Sequence, residues 1–219
     1  MNTNMNRRRF SATLLSAAAA SALVAGRPAF AQATPVEGKD FTRIEPPQPP
    51  GVPAGKVEVL EFFSYACPHC NAFEPSLDAW AKKLPADVAF RRVPVPFLMN
   101  AELFQRTYFA LESLGMVDAM QRKIFAAVHV DRLRLDSAND VAALVAKNGG
   151  DSAKFLDAMK SFGVANGVTR AKKMTADYKI DSVPSIAVQG RFVTSPAQAG
   201  SPEKALQVAD FLIQRSRKG

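Results

Sequence analysis

Cys67 and Cys70 are the only cysteines in a chain of 219 residues, and they stand three positions apart. They follow the apolar, β-branched and aromatic run Lys56–Tyr65 (KVEVLEFFSY). They open a segment with Phe73, Leu77, Trp80 and Leu84 at helical spacing, which predicts a helix to about Leu84. A passive bridge between them would close so small a loop that it would restrain the unfolded chain little. Zinc needs four ligands. His69 is trapped between the cysteines and His129 is the only other histidine, so no metal site is expected. Haem attachment needs His straight after the second Cys, where Asn71 stands. What remains is reversible dithiol–disulfide chemistry.

Position supplies the physical case. A Cys at a helix N-terminus faces unpaired N–H groups and the positive end of the helix dipole, and both favour thiolate over thiol. Cys67, nearer the strand end, is therefore expected to be the attacked sulfur, and Cys70, one turn in, the buried resolving partner. Pro68 suits the first turn, because the N–H it lacks would be unpaired there anyway. His69 can add a donor and, when protonated, a positive charge. Further along, Ser182-Val183-Pro184-Ser185 begins a second strand block. Pro184 reads either as a harmless strand-start proline or as a cis-proline loop against the cysteines.

These residues need elements to position them. Apolar residues are 47% of the chain and charged residues 22%, so a packed core is expected. Arg7-Arg8-Arg9-Phe10 precedes an Ala- and Leu-rich stretch ending in Ala29-Phe30-Ala31 and Ala31-Gln32-Ala33. This has the form of a signal peptide, residues 1–31, cleaved after Ala31 or Ala33, and the paired arginines resemble a twin-arginine export signal. A retained anchor is the alternative. Without residues 1–31 the net charge falls from +8 to +4 (24 basic and 20 acidic residues), and no nucleic-acid partner is expected. Pro-rich 34–53 predicts an extended lead-in, and Asp87–Val95 a second strand. From Leu98 to Tyr178 the period turns helical. It predicts five helices, the third capped by Ser137 with Asp140, the fourth capped by Asp151 and carrying Phe155, Leu156, Met159 and Phe162, and the fifth spanning Ala165–Tyr178. Ser185–Thr194 predicts a hairpin turning at Gln189-Gly190, and Ser201-Pro202-Glu203 opens a last helix.

Taken together, Glu61-Phe-Phe-Ser-Tyr-Ala-Cys67-Pro-His-Cys70, the helical insert, and Val183-Pro184 before a hairpin and a final helix resemble the DsbA family of periplasmic thiol:disulfide oxidoreductases. The resemblance runs from about Val36 to the C-terminus. It implies an α/β protein, a thioredoxin fold of residues 32–97 plus 179–219 interrupted by an all-helical domain, 98–178. It implies that Pro184 is cis, that Val183 offers its backbone to a substrate strand, and that Cys67 forms the mixed disulfide. It implies that Glu61 is a buried acid beneath the disulfide. The family's matching Lys is replaced by Phe90-Arg91-Arg92, so Arg91 or Arg92 is the candidate partner.

The implied function is oxidation of newly exported proteins with free thiols, in the periplasm, by a monomer that needs no cofactor beyond the Cys67–Cys70 disulfide. A membrane quinone reductase, DsbB-like, would reoxidise it. The rivals are an isomerase or reductase on the same fold, and a non-catalytic periplasmic chain-binding protein with a passive bridge. A dedicated isomerase would bring a dimerisation domain, and none is visible in the sequence. A passive bridge would resist reduction.

Overall fold

The computed structural model describes residues 34–218. The expected signal peptide and both cleavage sites fall outside them. No helix among the described residues is long and apolar enough to cross a membrane.

The run 56–65 forms β2, Val57–Phe63, with every residue buried. A strand apolar on both faces belongs in the middle of a sheet, and β2 is flanked on both sides. Its neighbours are β3 (Val88–Pro94), parallel, and β4 (Ser185–Val188), antiparallel. β5 (Phe192–Thr194) pairs with β4, and the two-residue strand β1 (Thr42–Arg43) closes the far edge, giving the order β1-β5-β4-β2-β3. Alternation along β2 sorts its side chains. Val57 and Val59 pack with Phe73 and Leu77 of helix α1 (Pro68–Ala81) and with Val208, Leu212 and Ile213 of the last helix. Leu60 and Phe62 pack on the other face, against Ala171 and Tyr178. The parallel β2–β3 pair is joined through α1, as parallel strands require.

Between β3 and β4 the chain forms five helices: α2 (Ala101–Ser113), α3 (Val117–His129), α4 (Ala138–Lys147), α5 (Ser152–Lys160) and α6 (Phe162–Asp177). Their caps are those the sequence marks. Ser137 and Asp140 form a reciprocal capping box, and the Asp151 carboxylate accepts from the N–H groups of Ala153 and Lys154, both at 3.0 Å. Phe104, Tyr108 and Leu111 of α2 and Ile124 and Phe125 of α3 form one core with Phe63, Tyr65 and both cysteines. α6 instead covers the second face of the sheet.

Four expectations change. Phe162 does not sit in the apolar stripe of α5. Ser161 ends that helix and its hydroxyl caps the next, so Phe162 becomes the first residue of α6, which starts three positions before the expected Ala165, and it is 80% exposed. Helix α1 ends at Ala81, three residues short of Leu84. A short helix α7 (Pro196–Ala199), capped by Ser195, precedes the last helix, α8 (Pro202–Arg217). The Pro-rich lead-in is fastened to the sheet as well as extended. Gln48 N–H donates to the Gly190 carbonyl at 2.8 Å, Gly51 N–H to Glu58 Oε1 at 3.0 Å, and Lys179 Nζ to the Glu45 carbonyl at 2.6 Å. The hairpin turn has positive φ at both Gln189 and Gly190, and a Cβ on residue 190 would lie 1.9 Å from the Gln48 oxygen. Only glycine fits there.

Candidate redox site

β2 ends at Phe63, and Ser64–Ala66 turn the chain so that Cys67 becomes the N-cap of α1, with φ −89° and ψ 116°. Its Sγ stands where a Ser or Asp side chain would cap, accepting from the Cys70 N–H at 3.3 Å. Pro68 takes the first helical position and leaves no donor unpaired. The Cys70 thiol's hydrogen bond, then the backbone N–H groups of Cys70 and His69, and last the charge of His69 favour the Cys67 thiolate. Against the opposing effect of burial they bring its pKa down to about 6. Cys70 is 0% exposed. Burial first, then its hydrogen bond to Cys67 and the charge of Glu61, push its pKa far up. Both are free thiols in this structure. Cys67 is itself only 4% exposed, less open than its place at the strand end implies. The two sulfurs are thus set apart by hydrogen bonding at Cys67 and by burial at Cys70.

The Val183–Pro184 peptide is cis, and the Cys67 thiol donates to the Val183 carbonyl at 3.4 Å. The loop 116 residues away in sequence therefore meets the cysteines. Beside them lies a cleft of about 320 Å³ lined by His69, Phe73, Val183, Pro184, Pro196 and Pro202, among others. His69 is exposed at its rim.

Glu61 is 0% exposed on the α1 face of β2. The register places it opposite Arg92, whose Nε donates to Glu61 Oε2 at 2.9 Å. Arg91 points to the opposite face and bonds Glu58. Two residues that the sequence reading passed over complete the network. Arg92 Nη2 donates to Glu74 Oε1 at 2.7 Å, and Gln121 Nε2 to Glu74 Oε2 at 3.5 Å, while Gln121 Oε1 accepts from the Tyr65 hydroxyl at 2.6 Å. Glu74 was legible as the residue one helical turn after Cys70, on the face of Phe73 and Leu77; Gln121 carried no such signal. Burial raises the pKa of Glu61 to about 8 despite Arg92, and raises that of Glu74. Arg92 stays charged, because the two carboxyls outweigh the effect of its own burial. His129 ends α3 with Nε2 2.8 Å from the Tyr65 carbonyl. Among the described residues no cluster of His, Cys, Asp and Glu could hold a metal.

The sequence profile of the DSBA-like thioredoxin domain matches residues 58–202. The protein named thiol:disulfide interchange protein DsbA in Burkholderia cepacia is 41% identical over 193 residues, covering 88% of this chain and 91% of that one. Its namesake in Bordetella parapertussis is 41% identical over 201 residues, covering 91% and 95%. The crystal structure of Pseudomonas aeruginosa DsbA aligns with a TM-score of 0.80 at 36% identity, covering 84% of this chain and 95% of that one. The chain belongs to the DsbA-like thioredoxin family and has its fold, a mixed sheet in the thioredoxin arrangement with helices inserted.

Proposed function

We propose that this member of the DsbA-like family is a dithiol oxidase of exported proteins, with Cys67–Cys70 as its redox centre. It is a thiol:disulfide oxidoreductase. The observation that carries the direction of transfer is the contrast between the two sulfurs. Cys67 is a helix N-cap whose pKa is lowered to about 6, and Cys70 is buried and held as a thiol. In the oxidised protein a substrate thiolate attacks Cys67 Sγ. The Cys67–Cys70 bond breaks, a mixed disulfide forms at Cys67, and Cys70 leaves and takes a proton. A second substrate thiolate attacks the substrate's own sulfur and expels Cys67. The substrate gains a disulfide, the protein gains two electrons, and Cys67 departs as a stabilised thiolate. A good leaving group makes this second step favourable.

In this reading the Val183 backbone and Pro184 border the bound substrate strand, and the apolar cleft beside His69 takes its side chains. No dissociable cofactor is needed. Substrates are unfolded exported chains with free thiols, met in the periplasm by a monomer, and a membrane quinone reductase returns the pair to the disulfide. Equilibration in glutathione buffers tests this. An oxidase is reduced by the mildest of them and passes its disulfide to a reduced, unfolded protein. A pair that resists millimolar reduced glutathione would be a passive bridge and would favour the chain-binding reading.

A further inference from the structure

The buried network holds one cation and two carboxyls. The side chains of Arg92, Glu61 and Glu74 are 10%, 0% and 3% exposed. With both acids ionised, a net negative charge would sit in an apolar interior next to two sulfurs, one of which is to become a thiolate. An uncompensated buried charge is costly, and like charges sharing one site do not both ionise at neutral pH. One of the two carboxyls therefore holds a proton, and the hydrogen bonds distinguish them. Glu74 receives Arg92 through one oxygen and Gln121 through the other. Glu61 receives only Arg92, and its Oε1 has no partner. A negative charge is better solvated on Glu74.

We propose that Glu74 is a positioning residue of the redox pair: by carrying the negative charge beside Arg92 it leaves the proton on Glu61, and so keeps an anion off the strand position that faces Cys67 and Cys70. This rests on the redox reading of the two cysteines and deepens it. The Arg92 fork makes it workable, since Nε and Nη2 serve the two acids separately. The other groups whose charge reaches the pair are Cys67, Asp78 on α1 and Arg122 on α3, with the buried phenols of Tyr65 and Tyr108 alongside. None of these bonds to Glu61 or stands in for Glu74 at Arg92.

Carboxyl carbon NMR of the reduced protein, titrated from pH 4 to 10, reads this directly. In the wild-type protein Glu61 should be protonated at pH 7 and Glu74 ionised, each resonance also reporting the other's step as coupled sites do. In Glu74→Gln, Arg92 serves Glu61 alone, and the Glu61 midpoint should move at least one unit to acid. The thiolate absorbance of Cys67 should then move to higher pH, because the anion has come nearer. Glu74→Asp, which restores the charge, should return both midpoints toward wild type. A purely structural Glu74 would change stability and leave both midpoints in place. A wild-type protein with the proton on Glu74 at pH 7, or an unmoved Glu61 midpoint in Glu74→Gln, would overturn the proposal. The wild-type titration decides even if the Gln variant does not fold. A protein that fails here yet oxidises dithiols keeps its function. One whose bridge resists glutathione loses it, whatever the carboxyls do.

Discussion

Glu58 and Glu61 stand three residues apart on the same buried strand, 1% and 0% exposed, and they face opposite sides of the sheet. Both form a salt bridge with an arginine of β3, Arg91 for one and Arg92 for the other. Glu58 is fully used. Its carboxylate takes Arg91, the Gly51 N–H and the Tyr178 hydroxyl, and it fastens the lead-in and α6 to the sheet. Glu61 shares its arginine with a second acid and leaves one oxygen bare. One end of the strand spends a buried acid on holding the chain together. The other keeps an acid poorly satisfied, next to the sulfurs, where it adjusts charge. The same residue type, one strand and two faces give opposite uses, and the neighbours decide which.

Removing the arginines should separate the two ends most strongly. Arg92→Leu leaves two buried carboxyls with no cation and should cost roughly 3–5 kcal/mol by urea melts at pH 7. Arg91 is 47% exposed and leaves Glu58 two other donors, so Arg91→Leu should cost only about 1–2 kcal/mol. Equal losses would show that the two ends are alike.

The acids themselves should differ in sign. Glu58→Gln weakens three hydrogen bonds to a carboxylate and should destabilise by roughly 1–3 kcal/mol without moving the reduction potential. Glu61 has a folded pKa of about 8, against ~4.3 in an unfolded chain. The folded protein binds the extra proton between those values, so Glu61 lowers stability as pH rises from ~4.3 to about 8. Glu61→Gln should abolish that fall, leaving a protein at least as stable as wild type at pH 8. Melts at pH 5 and pH 8 check it, and a Gln variant that is weaker than wild type at both would contradict the contrast.

Much of this was legible in the sequence. The cysteine spacing, the strand before it and the proline within it point to Cys67 as an N-cap, and Cys67 is one. Glu61 between Leu60 and Phe62 is read as buried, and it is. Which arginine meets it was open, because only strand register tells Arg91 from Arg92, and register lies in no local signal. Glu74 shares the face of Phe73 and Leu77 in the helical pattern, but its partner Arg92 follows only from the packing of β3 beside α1. Phe162 misled because a single serine both ends one helix and caps the next, resetting the helical phase.

A smaller effect is expected at the rim. His69 is exposed, and its charge comes last among the causes that lower the Cys67 pKa. His69→Ala should raise that pKa by up to about one unit, ~1.4 kcal/mol, and make the protein less oxidising. An ultraviolet thiolate titration checks the shift, and an unmoved midpoint would remove His69 from the account.

The central claim is that the fold holds the Cys67 thiolate, so that reduction is favoured. Paired denaturant melts of oxidised and reduced protein from pH 5 to 9 test it most directly. The folded pKa of about 6 lies below the unfolded value of ~8.5, so the thiolate's contribution is complete above ~8.5 and lost as pH falls through 6. At full strength it is on the order of 3 kcal/mol. A bridge across so short a loop contributes ~2 kcal/mol to the oxidised form by loop closure. The oxidised form should therefore be the more stable at pH 5 and the reduced form the more stable above pH 8. A difference that stays flat with pH, with the oxidised form ahead throughout, would mean that the bridge is structural and that Cys67 is no leaving group.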